Sequence, residues 1–199
     1  MKALLSLPRR ATFADYLATE QTSERRHEFI DGVIVAMAGG SDEHNALAAR
    51  FSLLFGVRLR GECHCYSPDQ RFWIEATSRG RYSDGSIICG RPEHPGHDHQ
   101  ATTNPLVVVE VLSPTSEGDD EGDKRRDFQS LGSLQAYVLA AQDARCVKVY
   151  RRTDRGDWRS EPDVYRGGES FELPGLVRAI AVDEVYDRLL DADGRSLLR

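Results

Sequence analysis

Apolar residues recur at intervals of three and four in one stretch of the first third of the chain, as on one face of an α-helix. The pattern predicts a helix that begins after Ser41, a residue type that caps helices, and ends near Arg60, before Gly61. A shorter helix is predicted from Thr12 to Glu20, with Thr12 as its cap. The apolar stripe of the longer helix consists of Leu47, Phe51, Leu54 and Phe55.

Short apolar runs separated by turn residues predict β-strands in much of the remaining chain. Asp31-Gly32 lies between two such runs and is a strong signal for a hairpin. The clearest strand is "PLVVVEVL", residues 105–112, whose continuous apolar character suits a strand covered on both faces. Other strands are predicted at 63–66, 71–75, 85–89, 134–141 and 145–152.

A helix predicted from Asp119 to Leu131 separates the strand at 105–112 from the strand at 134–141. Such a strand–helix–strand unit forms a parallel pair with a right-handed crossover. Hairpins flank the unit, and a last helix is predicted near Val182–Leu190. The order of elements therefore predicts an α/β (α+β) fold, in which a mixed β-sheet is flanked by helices.

The composition is that of an ordinary globular protein. The 199 residues are 40% apolar and 29% charged, which suits one domain, residues 1–199, with a buried core. No run of about 18 apolar residues is present, and the first ten residues lack the features of a secretory signal, so we expect a cytoplasmic protein. In that compartment the cysteines are expected to be free thiols rather than a disulfide framework. They are Cys63, Cys65, Cys89 and Cys146.

The net charge of −6 argues against a protein that coats nucleic acid by bulk charge. It leaves open an enzyme that contacts DNA through a local basic patch, because acidic metal sites lower the net charge of such enzymes. Solvated arginines are the alternative interpretation of the basic residues. The candidates for DNA contact are Arg79, Arg81, Arg125, Arg126, Arg151 and Arg152.

Glu110 places a carboxylate inside the most apolar strand. Because side chains alternate along a strand, it shares a face with Val108 and Leu112. An ionised carboxylate buried there alone would cost several kcal/mol, so it requires a cation, hydrogen bonds or water. The alternative is a structural ion pair with an arginine at the end of the strand.

Lys124 lies on the predicted helix that follows this strand. Residues four and seven positions further along, Phe128 and Leu131, share its helical face and are the apolar residues of that helix. The lysine therefore stands on the stripe that faces the sheet, from which its ammonium group can reach Glu110. The alternative is a lysine whose stem covers apolar surface while its charge reaches water.

Three further residues carry candidate chemistry. Asp84 precedes the apolar run "SIIC", although Asp next to Gly is also common in turns. Glu28 lies just before the predicted hairpin. His44 shares the inward stripe of the longer helix, where a core histidine bonded to a backbone carbonyl is the alternative. Carboxylate oxygens select Mg²⁺ or Mn²⁺, and such an ion next to a lysine suits phosphodiester hydrolysis.

Two other groupings are weaker candidates. Asp69 and Glu75 imitate a paired-carboxylate motif, but they stand about 20 Å apart on one extended segment, too far for one metal ion. A zinc site is an alternative, although Cys-x-Cys is not the usual spacing of zinc ligands. Its candidate ligands are Cys63, His64, Cys65, His94, His97 and His99.

Several segments together resemble the Uma2 family of small bacterial restriction-endonuclease-like proteins, which belongs to the PD-(D/E)XK nuclease superfamily. They are "HEFIDGVIVAMAGGSDEH", "SDGSII", "PLVVVEVLSPTS", "DKRRDF" and "SLQAYVLAAQDARCVKVYRR". The resemblance extends from about Thr12 to Tyr186, and "VVEVLSPTS" with a lysine downstream is its most specific part. It implies a restriction-endonuclease-like fold and a Mg²⁺-dependent DNA endonuclease that forms a homodimer.

The resemblance also implies roles for individual residues. Asp84 and Glu110 would bind Mg²⁺ or Mn²⁺, Glu28 would join them, and Lys124 would assist catalysis from the helix. His44 matches a family histidine that belongs to the same catalytic set. The sequence departs from the superfamily pattern in two places: Leu112 stands where the usual lysine would be, and Ser83 stands where a proline usually precedes the aspartate. A non-catalytic binding or assembly module with the same fold is the alternative function.

Overall fold

The computed structural model of the protein describes residues 10–113, 116–189 and 196. Its helices are α1 (Phe13–Thr22), α2 (Asp42–Gly56), α3 (Glu117–Asp120), α4 (Asp123–Gln129) and α5 (Val182–Val185). The strands of its first half are β1 (His27–Ile30), β2 (Val33–Ala36), β3 (Cys63–Tyr66), β4 (Arg71–Ile74), β5 (Arg79–Tyr82), β6 (Gly85–Cys89) and β7 (Ala101–Thr102). The remaining strands are β8 (Val107–Leu112), β9 (Ala136–Ala141), β10 (Cys146–Arg151), β11 (Asp163–Arg166), β12 (Ser170–Phe171) and β13 (Ile180–Ala181).

The strands form two large mixed sheets and one small pair. The six-stranded sheet has the order β11-β10-β9-β8-β6-β3, and the five-stranded sheet has the order β2-β1-β5-β4-β7. In the first, β8 and β9 are parallel, as the strand–helix–strand unit predicts, while their outer neighbours are antiparallel. The predicted mixed α/β (α+β) class is confirmed, but with several sheets in place of one.

Strand β8 is buried on both faces, and all six of its residues are inaccessible to solvent. On one face Val109 packs in a core cluster with the apolar stripe of α2, including Phe51. On the other face Val108 packs with Phe128 of α4 and Phe72 of β4. The continuous apolar run in the sequence therefore reflects a strand enclosed between a helical layer and a second layer of helix and sheet.

Local signals in the first fifty residues are confirmed. Thr12 caps α1 through a hydrogen bond from the backbone N–H of Asp15, whose carboxylate accepts one from the N–H of Thr12 in return. Asp31 and Gly32 have φ angles of +51° and +78°, which two-residue hairpin turns require. Ser41 caps α2 as predicted.

Helix α2 ends at Gly56, four residues before the predicted boundary near Arg60. The chain turns inward because Arg58 is buried and its guanidinium group donates hydrogen bonds to the carbonyl oxygens of Leu54 and Ala179. It also forms an ion pair with Glu184 at 2.6 Å. The contacts with Ala179 and Glu184 come from a segment distant in sequence, which the helical periodicity could not reveal.

The prediction of a single helix from Asp119 to Leu131 is wrong in one respect, because the structure has two helices, α3 and α4, in this segment. Gly122 interrupts it with φ −107° and ψ −110°, outside the helical region. A β-carbon at Gly122 would lie 2.5 Å from the carbonyl oxygen of Gly118, so a side chain does not fit there. The interruption sets the direction of α4 independently of α3.

Strand β5 was not predicted, because the sequence "RGRY" contains a glycine between two arginines and has no apolar alternation. It nevertheless lies inside the five-stranded sheet, where Gly80 pairs with Phe29 on one side and Trp73 on the other. The short strand β7 was likewise not predicted.

The expectation of four free thiols is wrong for two of them. Cys63 and Cys89 face each other in the antiparallel pair β3–β6 and are joined by a disulfide, with their Cα atoms 3.9 Å apart. Cys65 and Cys146 are free. The pairing depends on the register of two strands that are separated along the chain, and the sequence does not contain that information.

At the end of the described chain, α5 begins at Val182 as predicted but is a single short helix, and position 190 of the prediction lies outside the described residues. Among the residues described here, no helix is both long enough and apolar enough to cross a membrane.

We predict that Gly122→Ala lowers the free energy of unfolding by about 1–3 kcal/mol, because the added methyl group meets a backbone oxygen. Gly118→Ala is the matched control: its β-carbon would meet nothing within 4 Å, and alanine is the better helix former, so we expect unchanged or slightly increased stability. Urea unfolding of both variants measures the difference. Equal stability of the two would contradict the assigned role of Gly122.

Candidate active site

A cleft of about 530 Å³ opens at the end of β8 where Glu110 lies. The segment between β2 and α2 forms one wall, and α3 and α4 form the opposite side. The ionisable side chains that line it are Glu28, His44, Asp84, Glu110, Asp119, Asp120 and Lys124. We call this the acidic cleft, since five of these seven groups are carboxylates.

Glu110 and Lys124 form a direct ion pair inside the acidic cleft. The ammonium nitrogen of Lys124 lies 2.9 Å from Oε2 of Glu110, although the two residues are 14 positions apart. Both side chains are buried, with exposed fractions of 2% for Glu110 and 10% for Lys124. Lys124 therefore does not extend its charge into solvent, and Glu110 pairs with this lysine rather than with an arginine.

Lys124 also lies close to two other carboxylates. Its Nζ is 3.4 Å from Oδ1 of Asp120 and 3.9 Å from Oε1 of Glu28. One buried cation thus serves three buried or nearly buried acids. Glu110 and Asp120 share this one cation, whereas Glu28 has a second buried cation in Arg81.

The electrostatic consequences are visible in the pKa values. Burial raises the pKa of Glu110 well above its usual range, although Lys124 acts in the opposite direction. Burial also raises the pKa of Asp120. Burial would lower the pKa of Lys124, but Glu110 and the other surrounding carboxylates outweigh it and raise that pKa well above its usual value. Lys124 therefore remains charged.

Asp84 is held next to Glu110 by the backbone of β8. Its backbone N–H donates to the carbonyl oxygen of Val109, and its Oδ2 accepts a 2.7 Å hydrogen bond from the N–H of Val111. The same Oδ2 atom lies 3.1 Å from Nε2 of His44 at the start of α2. The backbone and the carboxylate of Asp84 are thus hydrogen-bonded to Val109 and Val111, the residues on either side of Glu110.

His44 is therefore partnered by a carboxylate rather than by a backbone carbonyl. The hydrogen bond to Asp84 raises the pKa of His44, which favours the charged imidazolium form. Its other ring nitrogen, Nδ1, is buried and has no hydrogen-bond partner among the described residues. A β-carbon at Gly40 would lie 2.6 Å from that nitrogen, so glycine at position 40 lets the ring occupy this place.

Glu28 reaches the acidic cleft from the five-stranded sheet. Its Oε1 accepts a hydrogen bond from the backbone N–H of Tyr82 at 3.1 Å, and its Oε2 lies 2.8 Å from Nη1 of Arg81. Both oxygens therefore have partners in β5, the strand that the sequence pattern failed to reveal. Glu28 lies close to Lys124 but is oriented by β5.

Arg81 was a candidate for DNA contact, and the structure places it in the interior instead. The side chain is 0% exposed and forms ion pairs with Glu28, Asp119 and Asp127 at 2.8, 2.9 and 2.8 Å. It thereby connects β1, α3 and α4, the elements that carry Glu28, Asp119, Asp120 and Lys124. Such a buried cation is tolerated because its N–H groups donate hydrogen bonds to carboxylates.

The other candidate arginines are also engaged by the protein itself. Arg79 pairs with Asp31 and Asp127, and Arg126 pairs with Asp123. The guanidinium group of Arg125 lies over the ring of Tyr150, and Arg151 pairs with Asp163. Arg152 donates hydrogen bonds to three backbone carbonyl oxygens, those of Gln129, Leu131 and Leu134. None of the six lines the acidic cleft in the described part of the chain.

Asp120 is a site residue that the sequence reasoning missed. It is 3% exposed and lies four positions before Lys124, with which it pairs. The helical spacing that placed Phe128 on the face of Lys124 also applies in the other direction and would have indicated Asp120. Tyr137 supports this segment by donating a 3.0 Å hydrogen bond to the carbonyl oxygen of Asp120.

The residues of the cleft fit a hard divalent cation in their chemistry. All the acids offer carboxylate oxygens, and Oε1 of Glu110 is buried with no hydrogen-bond partner in the described structure. As arranged, no three His, Cys, Asp or Glu side chains among the described residues form a metal-binding group. The acids are gathered around the ammonium group of Lys124, and Mg²⁺ is commonly held by only one or two carboxylates.

The weaker groupings lie elsewhere. Among the candidate zinc ligands, Cys63 is in the disulfide, and His94 Nδ1 contacts the carbonyl oxygen of Ala101 at 2.8 Å. His97 packs edge-on against the rings of Phe13 and Trp73. Asp69 and Glu75 do not line the acidic cleft; Asp69 pairs with Arg26, and Glu75 accepts a hydrogen bond from Nε1 of Trp73.

The fold and the cleft define a protein of the nuclease-fold class. The structure is similar to that of a protein from Anabaena variabilis described as "a putative nuclease belonging to DUF820", with a TM-score of 0.69 and 16% sequence identity. The match covers 84% of this chain and 93% of the other. At this level of identity the similarity demonstrates the fold.

The sequence places the chain within that class. Residues 13–183 match the Uma2 family, described as "Putative restriction endonuclease". Two proteins of Synechocystis sp., named "Uncharacterized protein slr1290" and "Uncharacterized protein sll1609", are 34% and 30% identical to this chain. These alignments cover 86% and 74% of this chain and 89% and 84% of the two relatives. The chain belongs to the Uma2 family.

We predict that Arg81→Met lowers the free energy of unfolding by about 3–5 kcal/mol, because three carboxylates lose a buried partner. Arg126→Met is the control: its ion pair with Asp123 is exposed, so the expected change is about 0–1 kcal/mol. Urea unfolding compares the two. A small effect at Arg81 would show that the network does not hold these elements together.

Proposed function

We propose that this protein is a DNA endonuclease that hydrolyses phosphodiester bonds with the help of Mg²⁺ or Mn²⁺. The observation that supports this proposal most strongly is the buried hydrogen bond from Nζ of Lys124 to Oε2 of Glu110, at 2.9 Å. Asp84 lines the same cleft. A lysine and two carboxylates in this arrangement suit phosphoryl chemistry, in which negative charge develops on a phosphoryl oxygen. Membership of a family described as restriction endonucleases supports the same activity.

Asp84 and Glu110 would hold the metal ion, with Glu28 and Asp120 next to them. When bound, such an ion lowers the pKa of a water molecule and draws negative charge from the phosphoryl group. Oε1 of Glu110 supports this assignment, since it is a buried oxygen without a hydrogen-bond partner in the described residues. His44 would act through Asp84, keeping the carboxylate directed by its hydrogen bond to Oδ2.

Lys124 contributes its charge to the reacting phosphate. Its ammonium group remains protonated because carboxylates surround it, so it can donate hydrogen bonds to the oxygen on which charge develops. Leu112, at the position of the usual lysine, packs in the core with Phe128 instead. The lysine thus approaches Glu110 from α4 rather than from β8. Cutting both strands of a duplex requires two such sites, for which a homodimer is the simplest arrangement.

A non-catalytic module is the alternative function. The observation that favours it is that the described acids surround a lysine and form no group of three metal ligands. The cleavage experiment below separates the two functions, because a module with the same fold would bind DNA or a protein partner without cutting DNA.

We predict that Glu110→Gln and Lys124→Met each lower the rate of Mg²⁺-dependent cleavage of plasmid and linear DNA by about 10²–10³-fold, the usual effect of removing one charge-stabilising group. Each variant removes one member of the buried pair with little change in volume. Gel analysis of the cleavage products measures the rates, and circular dichroism verifies the fold.

Glu75→Gln is the matched control for cleavage. Glu75 accepts a hydrogen bond from Trp73 outside the acidic cleft, and glutamine can accept the same bond, so we expect an unchanged rate. Full activity in Glu110→Gln or Lys124→Met would refute the assignment of the site, and absence of cleavage by the wild-type protein with either metal would favour the non-catalytic module.

We predict that Mg²⁺ or Mn²⁺ raises the melting temperature, and that the increase becomes larger as pH rises above the ordinary carboxyl range of about 4. Burial raises the pKa values of Glu110 and Asp120, so both retain protons that a metal ion must displace at low pH. Thermal unfolding over a series of pH values measures the effect. The increase should disappear in Glu110→Gln; an increase independent of pH, or one retained in that variant, would contradict the metal assignment.

A further inference from the structure

A second cavity adjoins the acidic cleft and has the opposite charge. It has a volume of about 420 Å³ and is lined by Arg25, Arg26, Met37, Ala38 and Gly39. We call it the arginine pocket. Met37, Ala38 and Gly39 also line the acidic cleft, so a single segment of backbone separates the two cavities.

The β1–β2 hairpin fixes the distance between the two cavities. Its register pairs Glu28 with Val35, and the ladder continues to Arg26, whose carbonyl oxygen accepts a 2.9 Å hydrogen bond from the N–H of Met37. Arg26 lies two residues before Glu28 and therefore projects from the same face of the strand, about 7 Å further along. Glu28, Val35 and Met37 all line the acidic cleft, so Arg26 is next to it along this face.

The two arginines are available to a ligand. Arg26 contacts Asp69 at 3.2 Å, but the two side chains are 47% and 73% exposed, and such surface pairs contribute little and exchange easily. Arg25 has no ion pair among the described residues, and its side chain is exposed. No carboxylate lines the arginine pocket in the described structure.

If nucleic acid is the substrate, this negatively charged protein requires a positively charged site that binds the phosphate backbone. The chain has a net charge of −6, and the cleft that would receive the scissile phosphate is rich in carboxylates. None of the six arginines that the sequence suggested for DNA contact lines the cleft, and of these Arg126 has an exposed ion pair comparable to that of Arg26. Arg25 and Arg26 line the cavity that adjoins it and are not committed to buried partners.

We propose that Arg25 and Arg26 form a phosphate-binding subsite for the nucleic-acid strand whose scissile bond lies in the acidic cleft. The subsite rests on the proposed endonuclease function and adds to it the place where the substrate backbone is held. Guanidinium groups bind phosphate oxygens in a bidentate manner. A displacement of about 7 Å from Glu28 along the strand is short enough for both cavities to contact neighbouring phosphates of one strand.

The test is the salt dependence of DNA binding by the Arg25→Gln, Arg26→Gln double variant. Binding of a fluorescein-labelled DNA duplex is followed by fluorescence anisotropy, with Ca²⁺ in place of Mg²⁺ as the oxygen-preferring ion. We expect weaker binding at low salt and a salt slope smaller by about 0.9 for each arginine that contacts a phosphate, or about two in total.

Two further variants make the result specific. Arg159→Gln removes another exposed arginine that pairs with a single carboxylate, Asp163, at 3.2 Å, and should leave affinity and slope unchanged. Asp69→Asn removes the competing partner of Arg26 and should tighten binding at low salt. An increase in affinity cannot result from loss of folding.

The outcomes separate the subsite from the catalytic function. An unchanged slope in the double variant, an equal loss in Arg159→Gln, or no binding of DNA by the wild-type protein would each overturn the subsite. If the wild-type protein cleaves DNA while the double variant binds normally, the endonuclease function stands and the subsite does not. If the double variant loses binding while the wild-type protein cuts no DNA, the subsite stands and the catalytic function does not.

Discussion

The structure of the site depends on the cost of burying charge. Lys124 is enclosed with its ammonium nitrogen 2.9 Å from Glu110 and within 4 Å of Asp120 and Glu28. Neither the lysine nor the acids could occupy this place alone, because an unpaired buried charge costs several kcal/mol. Burial raises the pKa values of Glu110 and Asp120, and the charge of Lys124 only partly offsets that effect.

Arg81 is a second buried cation whose charge is compensated by surrounding carboxylates. It pairs with Glu28 on β1, with Asp119 on α3 and with Asp127 on α4, so a single guanidinium group joins the five-stranded sheet to the two helices beside the six-stranded sheet. The orientation of Glu28 and the position of α4 are thereby coupled. These ion pairs add to an apolar contact between the same layers, in which Phe72 of the five-stranded sheet packs against Phe128 of α4.

Much of the fold and part of the site could be predicted from the sequence. Alternation along β8 placed Glu110 with Val108, and helical spacing placed Lys124 with Phe128; both are local relations that the backbone geometry imposes. The prediction failed where partners are distant in sequence. Strand β5 has no apolar pattern, and Arg81 could be recognised as an interior residue only from carboxylates on three other elements.

The sequence by itself determined where α1 and α2 begin, the hairpin and the parallel strand pair, because periodicity, caps and turn residues act over a few positions of the chain. It also determined which carboxylate and which lysine stand on inward faces. Only the tertiary structure decided that Lys124 contacts Glu110, that Arg81 is buried, that Cys63 meets Cys89, and that Arg25 and Arg26 adjoin the cleft. Those contacts depend on strand order, register and the interruption at Gly122, which bring together groups that local patterns along the chain cannot relate.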